Sequence, residues 1–335
     1  MRKFILTILA CVLVTVLSAC SSSSSPSASG SVKIDIALFH TENDAFAQVF
    51  KDWSAKVKEK TEGRVVFNPH YSASLVSLFD TLDSVSNGAV DAGILSAGAI
   101  SGHIPAMGLV ETFGVFKDEA AYKSIYQEAT PLLSEILEKR KVKLLFWSPG
   151  GIDTLAFHRS KTLQAPDAFK DLKMRTAGRW QAEQVKLLGA TPVTMDPSEL
   201  YLALQNGTVD STLQTVGLAN AGKLVEVANK VTSLKIPLNT VQWVINPDVW
   251  AKISPEDQKI IMELSNEAGL NAYKAVETKE VTDLESIKSS GGEVYQVTDA
   301  ERAALLDVLN QVNDKIVAEA GEEGQQLNEI LKKYR

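Results

Sequence analysis

The sequence predicts an α/β protein of two lobes joined by a long helix. Three observations carry that reading. Strand-like and helix-like segments alternate in the first half of the chain, and the alternation is repeated in the second. The pattern Asn-Gly-x-Val-Asp occurs twice, as "NGAVD" at 87–91 and "NGTVD" at 206–210, each time after an amphipathic stretch and before a small apolar one. From Ser254 to about Lys288 the only helix breaker is Gly269. At 1.5 Å per residue such a helix is on the order of 50 Å long, more than one small domain is wide.

The elements follow in order. In "SVKIDIALF" the apolar Val32, Ile34, Ile36 and Leu38 alternate with Lys33, Asp35 and Ala37, the period of a strand. Phe46, Phe50, Trp53 and Val57 fall three and four apart, one face of a helix that Thr41 or Asn43 can cap and Gly63 can end. "RVVFNPH" reads as a strand, "LVSLFDTLDSVSNG" as a helix stopping at Gly88, and "AVDAGILS" as a strand buried on both faces. That β-α-β-α-β order argues for a parallel sheet covered by helices.

A helix over "DEAAYKSIYQEATPLLSEILEKR" leads to the strand "KVKLLFW", then to "GGIDTLAFH". A strand holding Arg175, a helix ended by Gly189 and the short strand "TPVTM" come next. "DPSELYLALQNG" has Asp196 as N-cap, Pro197 at the first position, Glu199 completing a capping-box pattern and Gly207 as stop. "TVDSTLQ" and "TVQWVIN" are strands. An amphipathic helix to about Gly321 and a final short one close the chain.

The first thirty residues are a separate object. "MRK" is a positive start, "FILTILACVLVTVL" an apolar run, and "LSAC" precedes the Ser-rich "SSSSSPSASG". This reads as an export signal, too short and wrongly flanked for a spanning helix. The residues before Cys20 resemble a lipobox, which implies a lipid anchor on Cys20 and a flexible tether after it. Simple cleavage to a soluble product is the alternative. The other cysteine, Cys11, lies inside the signal, so the mature fold has neither disulfide nor thiolate metal site.

Bulk properties narrow the function. Of 335 residues, 45% are hydrophobic, enough for two cores. The formal net charge of -7 and the lack of a basic face argue against nucleic acid as a partner. Outside the cytoplasmic membrane neither ATP nor reduced nicotinamide is at hand, and no cofactor is expected. The four histidines (His40, His70, His103 and His158) have no metal-type spacing, and there is no G-x-S-x-G elbow or Gly-rich phosphate loop.

The run "LKMRTAGRWQAEQVKLLGATPVTMDPSELYLALQNGTVDSTLQ" resembles the core signature of substrate-binding proteins of tripartite ATP-independent periplasmic (TRAP) transporters, of the C4-dicarboxylate-binding type. "VKEKTEGRVVF", "VSNGAVDAGIL" and "INPDVWAKISPEDQKII" resemble further segments of that family, so the similarity covers nearly the whole mature chain. The resemblance implies a two-lobed periplasmic solute-binding (Venus-flytrap) fold, a mixed β-sheet in each lobe and a lobe-bridging helix. Ligand binds between the lobes. The implied partners are a small organic acid and the membrane subunits of a TRAP permease, with an ion gradient as the drive and a monomer as the working form. The expected division is signal 1–20, linker 21–31, lobe I at 32–156 plus about 245–284, and lobe II at 157–244 plus about 285–335. An ABC-type solute-binding protein, a chemoreceptor-linked sensor and, more distantly, a secreted hydrolase remain as alternatives.

By the same resemblance Arg175 pairs with a substrate carboxylate. A guanidinium suits this task, because its planar fork meets two carboxylate oxygens and stays charged when enclosed. Gln214 matches a position where many relatives have Asn directed at the carboxylate. Ser96 and His40 end strands, and strand carboxyl ends at a cleft are where open α/β sheets bind ligands; His40 could equally cap the following helix. Asp153 stands where sialic-acid-binding members have a second Arg. An acid there would repel a second carboxylate, so one carboxylate and a polar or cationic remainder are expected; otherwise Asp153 pins a loop. Trp147 and Tyr71 are candidate pocket walls. Arg179 reaches either the ligand or solvent, Trp180 shapes the pocket or covers its helix, and Trp243 reads as core.

Overall fold

A computed structural model describes residues 31–334. The Cys20 lipidation site and the export signal lie outside the described residues.

Two sheets organise the chain. The first has the order β2-β1-β3-β10-β4, formed by β1 (Val32–Ala37), β2 (Val65–His70), β3 (Ala92–Ser96), β4 (Lys143–Gly151) and β10 (Leu238–Ile245). The second has the order β11-β9-β5-β8-β6-β7, formed by β5 (Thr154–His158), β6 (Lys173–Thr176), β7 (Thr191–Thr194), β8 (Ser211–Thr215), β9 (Lys230–Ser233) and β11 (Glu293–Gln296). Both are mixed. β1 runs parallel to β2 and β3, while β10 is antiparallel to β3 and β4. β6 is parallel to β7 and β8, while β5 is antiparallel to β8 and β9.

The two Asn-Gly-x-Val-Asp copies adopt one geometry. Gly88 and Gly207 both have φ near +80° (+79° and +80°), a region open to glycine at little cost. Asn87 and Asn206 each accept the backbone N–H two residues on, both at 2.9 Å. Val90 and Val209 are buried. The Asp then stitches the new strand to its parallel neighbour. Asp91 accepts the Asp35 N–H of β1, and Asp210 accepts the Lys173 N–H of β6, both at 2.9 Å.

The Pro255–Ser289 helix braces both sheets. Ser254 caps it through the Asp257 N–H. Ile261 and Val276 enter the core under the first sheet, and Ile287 enters a core of the second. Gly269 does not interrupt it. A Cβ there would collide with the ring of Tyr126, and the Tyr122 hydroxyl donates to the Gly269 carbonyl at 2.7 Å. Close packing explains that glycine.

The structure departs from the sequence reading in several places. All but the last residue of β10 lies within the 157–244 stretch assigned to lobe II, yet the strand is hydrogen-bonded between β3 and β4 of the first sheet. The Asn313–Leu331 helix was expected in lobe II. Its Ile316, Leu327 and Leu331 instead pack into the first sheet's core with Leu133 and Ile136, so the chain's end crosses back to lobe I. Gly321, at φ +60°, kinks this helix where the last two helices were expected to divide. The 75–88 helix is reduced to Thr81–Ser86. Asp44, not Thr41 or Asn43, caps Ala45–Lys60 by accepting from the Ala47 N–H. Asp196 accepts from Ser198 rather than forming a box with Glu199, because a 3-10 turn (Pro197–Glu199) precedes the Leu200–Asn206 helix.

Candidate functional site

β3 and β8, the strands launched by the two repeats, run directly into short helices at Ala97–Ile100 and Val216–Ala221. Ser96 ends β3 and Gln214 is next to last in β8. Both line one narrow pocket with about 30 Å³ of free space, closed around little more than water. Phe39, Phe46 and Leu78 enter it from the first lobe, and Arg175, Gln181 and Leu213 from the second. Leu238 and Asn239, where the chain crosses back into β10, complete it. A larger adjoining space of about 290 Å³ shares Phe39, Pro197, Gln214 and Leu218 with it and carries His40 and Asp196.

Arg175 is the one charged residue on the smaller pocket's wall. It stands in β6, between Val193 of β7 and Thr212 of β8, and is 2% exposed. Its Nε and Nη2 donate to the Met195 carbonyl at 3.1 and 2.9 Å. A guanidinium has five N–H groups, so about three remain for another acceptor. Among the described residues no carboxylate forms an ion pair with it; the acid acting on it is Asp196, through space. Burial lowers its pKa to about 10, which leaves it charged at neutral pH. A buried cation without an anion is costly, and a bound anion would relieve that cost.

The amide oxygens around it each already accept one hydrogen bond. Gln214 Oε1 accepts the Thr215 N–H at 3.0 Å, and Gln181 Oε1 accepts the Ala177 N–H at 3.0 Å. Asn239 donates to Ser96 Oγ at 2.9 Å and accepts from Gly98 N at 3.3 Å. Asn239 has φ +61°, the left-handed region that asparagine tolerates better than most residues. Neither Gln181 nor Asn239 stood out in the sequence. Asn239 follows Pro237-Leu238 as a turn-forming residue, which was the available signal.

The other candidates lie apart from this pocket. His40 is 1% exposed, faces the adjoining space and contacts Asp44 Oδ1 at 3.3 Å; burial lowers its pKa and keeps the imidazole neutral. Tyr71 packs beside it, with ring centroids 6.1 Å apart, and burial raises its pKa. Trp147 is a correction. It is 0% exposed, donates to Thr130 Oγ1 at 2.9 Å and packs against Tyr122 and Tyr126, because its position in β4 points it at the 119–138 helix. Trp243 stacks between Phe50 and Phe146 in the core.

Asp153 is a second correction. It is not on the pocket wall but at the β4–β5 crossing, where it accepts from the Ser233 hydroxyl and from the Lys235 N–H. It ties the two chain crossings together, the loop-pinning alternative. Burial raises its pKa to about 6. Glu280 of the brace helix accepts the Ile152 and Asp153 N–H groups at the same crossing, and its pKa is raised mainly by burial. Arg179 is the third correction. It pairs through both terminal nitrogens with Glu319 and lies over the ring of Trp180. Trp180 itself is buried against Gly108, covering its helix.

The lobes meet at the pocket's edge. A Cβ on Gly178 would collide with the Gly98 carbonyl oxygen. Beside this contact Glu111, fully buried, accepts the Gln181 N–H at 3.0 Å near the start of the Arg179–Leu187 helix. Burial raises its pKa to about 8. Among the described residues no group of acids, histidines and cysteines could hold a metal ion, and no helix is long and apolar enough to cross a membrane.

Known proteins agree with this architecture. The family model for bacterial extracellular solute-binding protein, family 7, matches residues 36–320. The chain is 26% identical over 271 residues to the 2,3-diketo-L-gulonate-binding periplasmic protein YiaO of Escherichia coli, covering 80% of this chain and 81% of that one. It is 25% identical over 302 residues to the ectoine-binding periplasmic protein TeaA of Halomonas elongata, covering 86% and 85%. A TRAP periplasmic solute-binding protein from Desulfovibrio salexigens, solved with bound orotic acid, has the same fold with a TM-score of 0.84 at 22% identity, over 90% of this chain and 98% of that one. The chain belongs to bacterial extracellular solute-binding protein family 7, and is a substrate-binding protein rather than an enzyme.

Proposed function

We propose that this protein is the extracytoplasmic solute-binding component of a TRAP transporter. It captures a small organic acid between its lobes, with the acid's carboxylate on Arg175. It then delivers the acid to the membrane permease for ion-gradient-driven uptake. A lipid anchor at Cys20 would hold it at the membrane face, and it works as a monomer.

The observation that carries this reading is a buried guanidinium on the interlobe pocket with no acid paired to it among the described residues. A cation so placed favours an anion of matching geometry, and the planar fork favours a carboxylate. Family membership supports solute binding, and relatives named for 2,3-diketo-L-gulonate or solved with orotic acid support an acidic solute. A thermal-shift screen of small acids, repeated on Arg175→Gln, tests the assignment. At least one acid should raise the melting temperature of the parent and not of the variant. A hit that stabilises both equally would refute the Arg175 anchor.

A further inference from the structure

The geometry points to a ligand class: a monocarboxylate with an apolar body, not a dicarboxylate, a sugar acid or a zwitterion. This rests on the reading that Arg175 is the anchor. It also departs from the polar or cationic remainder expected from Asp153, since Asp153 is not on the pocket wall.

Three features of the pocket support it. The first is charge. Arg175 is the only cationic residue on the pocket wall, and no Asp, Glu or His shares that wall. One carboxylate balances it. A second carboxylate would be buried without a partner, and an ammonium would find neither a carboxylate nor distance from Arg175. Asp196 faces the adjoining space rather than this wall, with one oxygen, Oδ1, held by the Ser198 N–H and hydroxyl at 2.9 and 2.8 Å.

The second feature is the scarcity of open acceptors. A polyhydroxylated ligand needs an acceptor for each of its hydroxyl protons, and a proton without one is left unpaired. The side-chain oxygens of Gln181, Gln214 and Asn239 each already accept a backbone N–H, and Ser96 Oγ already accepts from Asn239, which leaves one lone pair apiece. The third feature is the rest of the wall. Phe39 and Phe46, with centroids 6.3 Å apart, form an aromatic corner, and Leu78, Leu213, Leu218 and Val241 continue it. An alkyl or aryl body gains affinity by leaving water for such a surface.

Calorimetric titration with ligands of similar length tests the inference: 4-methylpentanoate, benzoate, glutarate, 5-aminopentanoate and D-glucuronate. At least one of the two apolar monocarboxylates should bind at least tenfold more tightly than each of the other three. Leu218→Asn, at a half-buried wall position, should reduce that preference several-fold. Equal or tighter binding of glutarate, 5-aminopentanoate or glucuronate overturns the inference, and so does failure of both apolar monocarboxylates to bind. The best binder is then titrated into Arg175→Gln. Glutarate binding that depends on Arg175 would leave the anchor standing and remove the apolar-body class. Binding of an apolar monocarboxylate that ignores Arg175 would do the reverse.

Discussion

Gly98 and Gly178 meet backbone to backbone across the two lobes, so closely that a Cβ on Gly178 would overlap the Gly98 carbonyl oxygen. Gly178 has φ -156°, extended backbone that any residue adopts. Space, not conformation, requires the glycine. Gly178→Val should therefore keep each lobe folded while preventing this approach, and should weaken ligand binding at least tenfold, with Gly178→Ala between the two. Calorimetry with the best acid from the screen measures it. Undiminished affinity in Gly178→Val would show that the contact is dispensable for binding.

Glu111 lies beside that contact and gives it a pH dependence. Its pKa is raised from 4.5 to about 8 by burial. Below the unfolded value both states carry the proton and nothing is lost. Between about 4.5 and about 8 the folded chain holds a proton that the unfolded chain has released, so stability falls as pH rises, by at most about 1.4 kcal/mol per unit. Above about 8 the loss is complete. Glu111→Gln keeps an oxygen for the Gln181 N–H and removes the titration. Urea unfolding between pH 5 and pH 9 should show a shallower decline in the variant. The same decline in both would mean that Glu111 does not titrate as placed.

The equivalent aspartates of the two repeats should have equivalent effects. Asp91→Ala orphans the Asp35 N–H of β1, and Asp210→Ala orphans the Lys173 N–H of β6. Both bonds are exposed, so water can replace the lost acceptor, and each change should destabilise its own sheet by at most about 1 kcal/mol. Chemical denaturation measures the cost. An effect in one and none in the other would break the proposed equivalence of the two halves.

The brace helix makes a sharper stability prediction. Gly269→Ala adds a favourable helix residue but drives a methyl into the Tyr126 ring. Packing should win, with a net loss of about 1–3 kcal/mol in thermal or denaturant unfolding. A more stable variant would show that Tyr126 moves aside freely.

Local chemistry made much of this fold legible. Gly88, Gly207 and Gly189 were readable as helix stops because each takes positive φ. The 255–289 brace was readable from its Ser254-Pro255 start and its lack of breakers. Strand pairing was not legible at the crossings. Nothing in "TVQWVIN" says that β10 returns to the first sheet, because a strand buried on both faces looks alike in either lobe. The same holds for Ile316 and Leu327, whose spacing predicts a buried face but not which core receives it. At the site, strand-end logic pointed to Ser96 and the family resemblance to Arg175 and Gln214, and all three line the pocket. It could not place Trp147 or Asp153, because a one-residue change in a strand reverses the face, and a crossing loop has no period to read.

The most direct measurement is a crystal structure with the best-binding acid from the screen. The ligand's carboxylate should lie within about 3 Å of the free N–H groups of Arg175, in two charge-assisted hydrogen bonds. Its body should lie against Phe39, Phe46 and Leu213. A carboxylate held elsewhere, with Arg175 still bound only to the Met195 carbonyl, would contradict the Arg175 anchor.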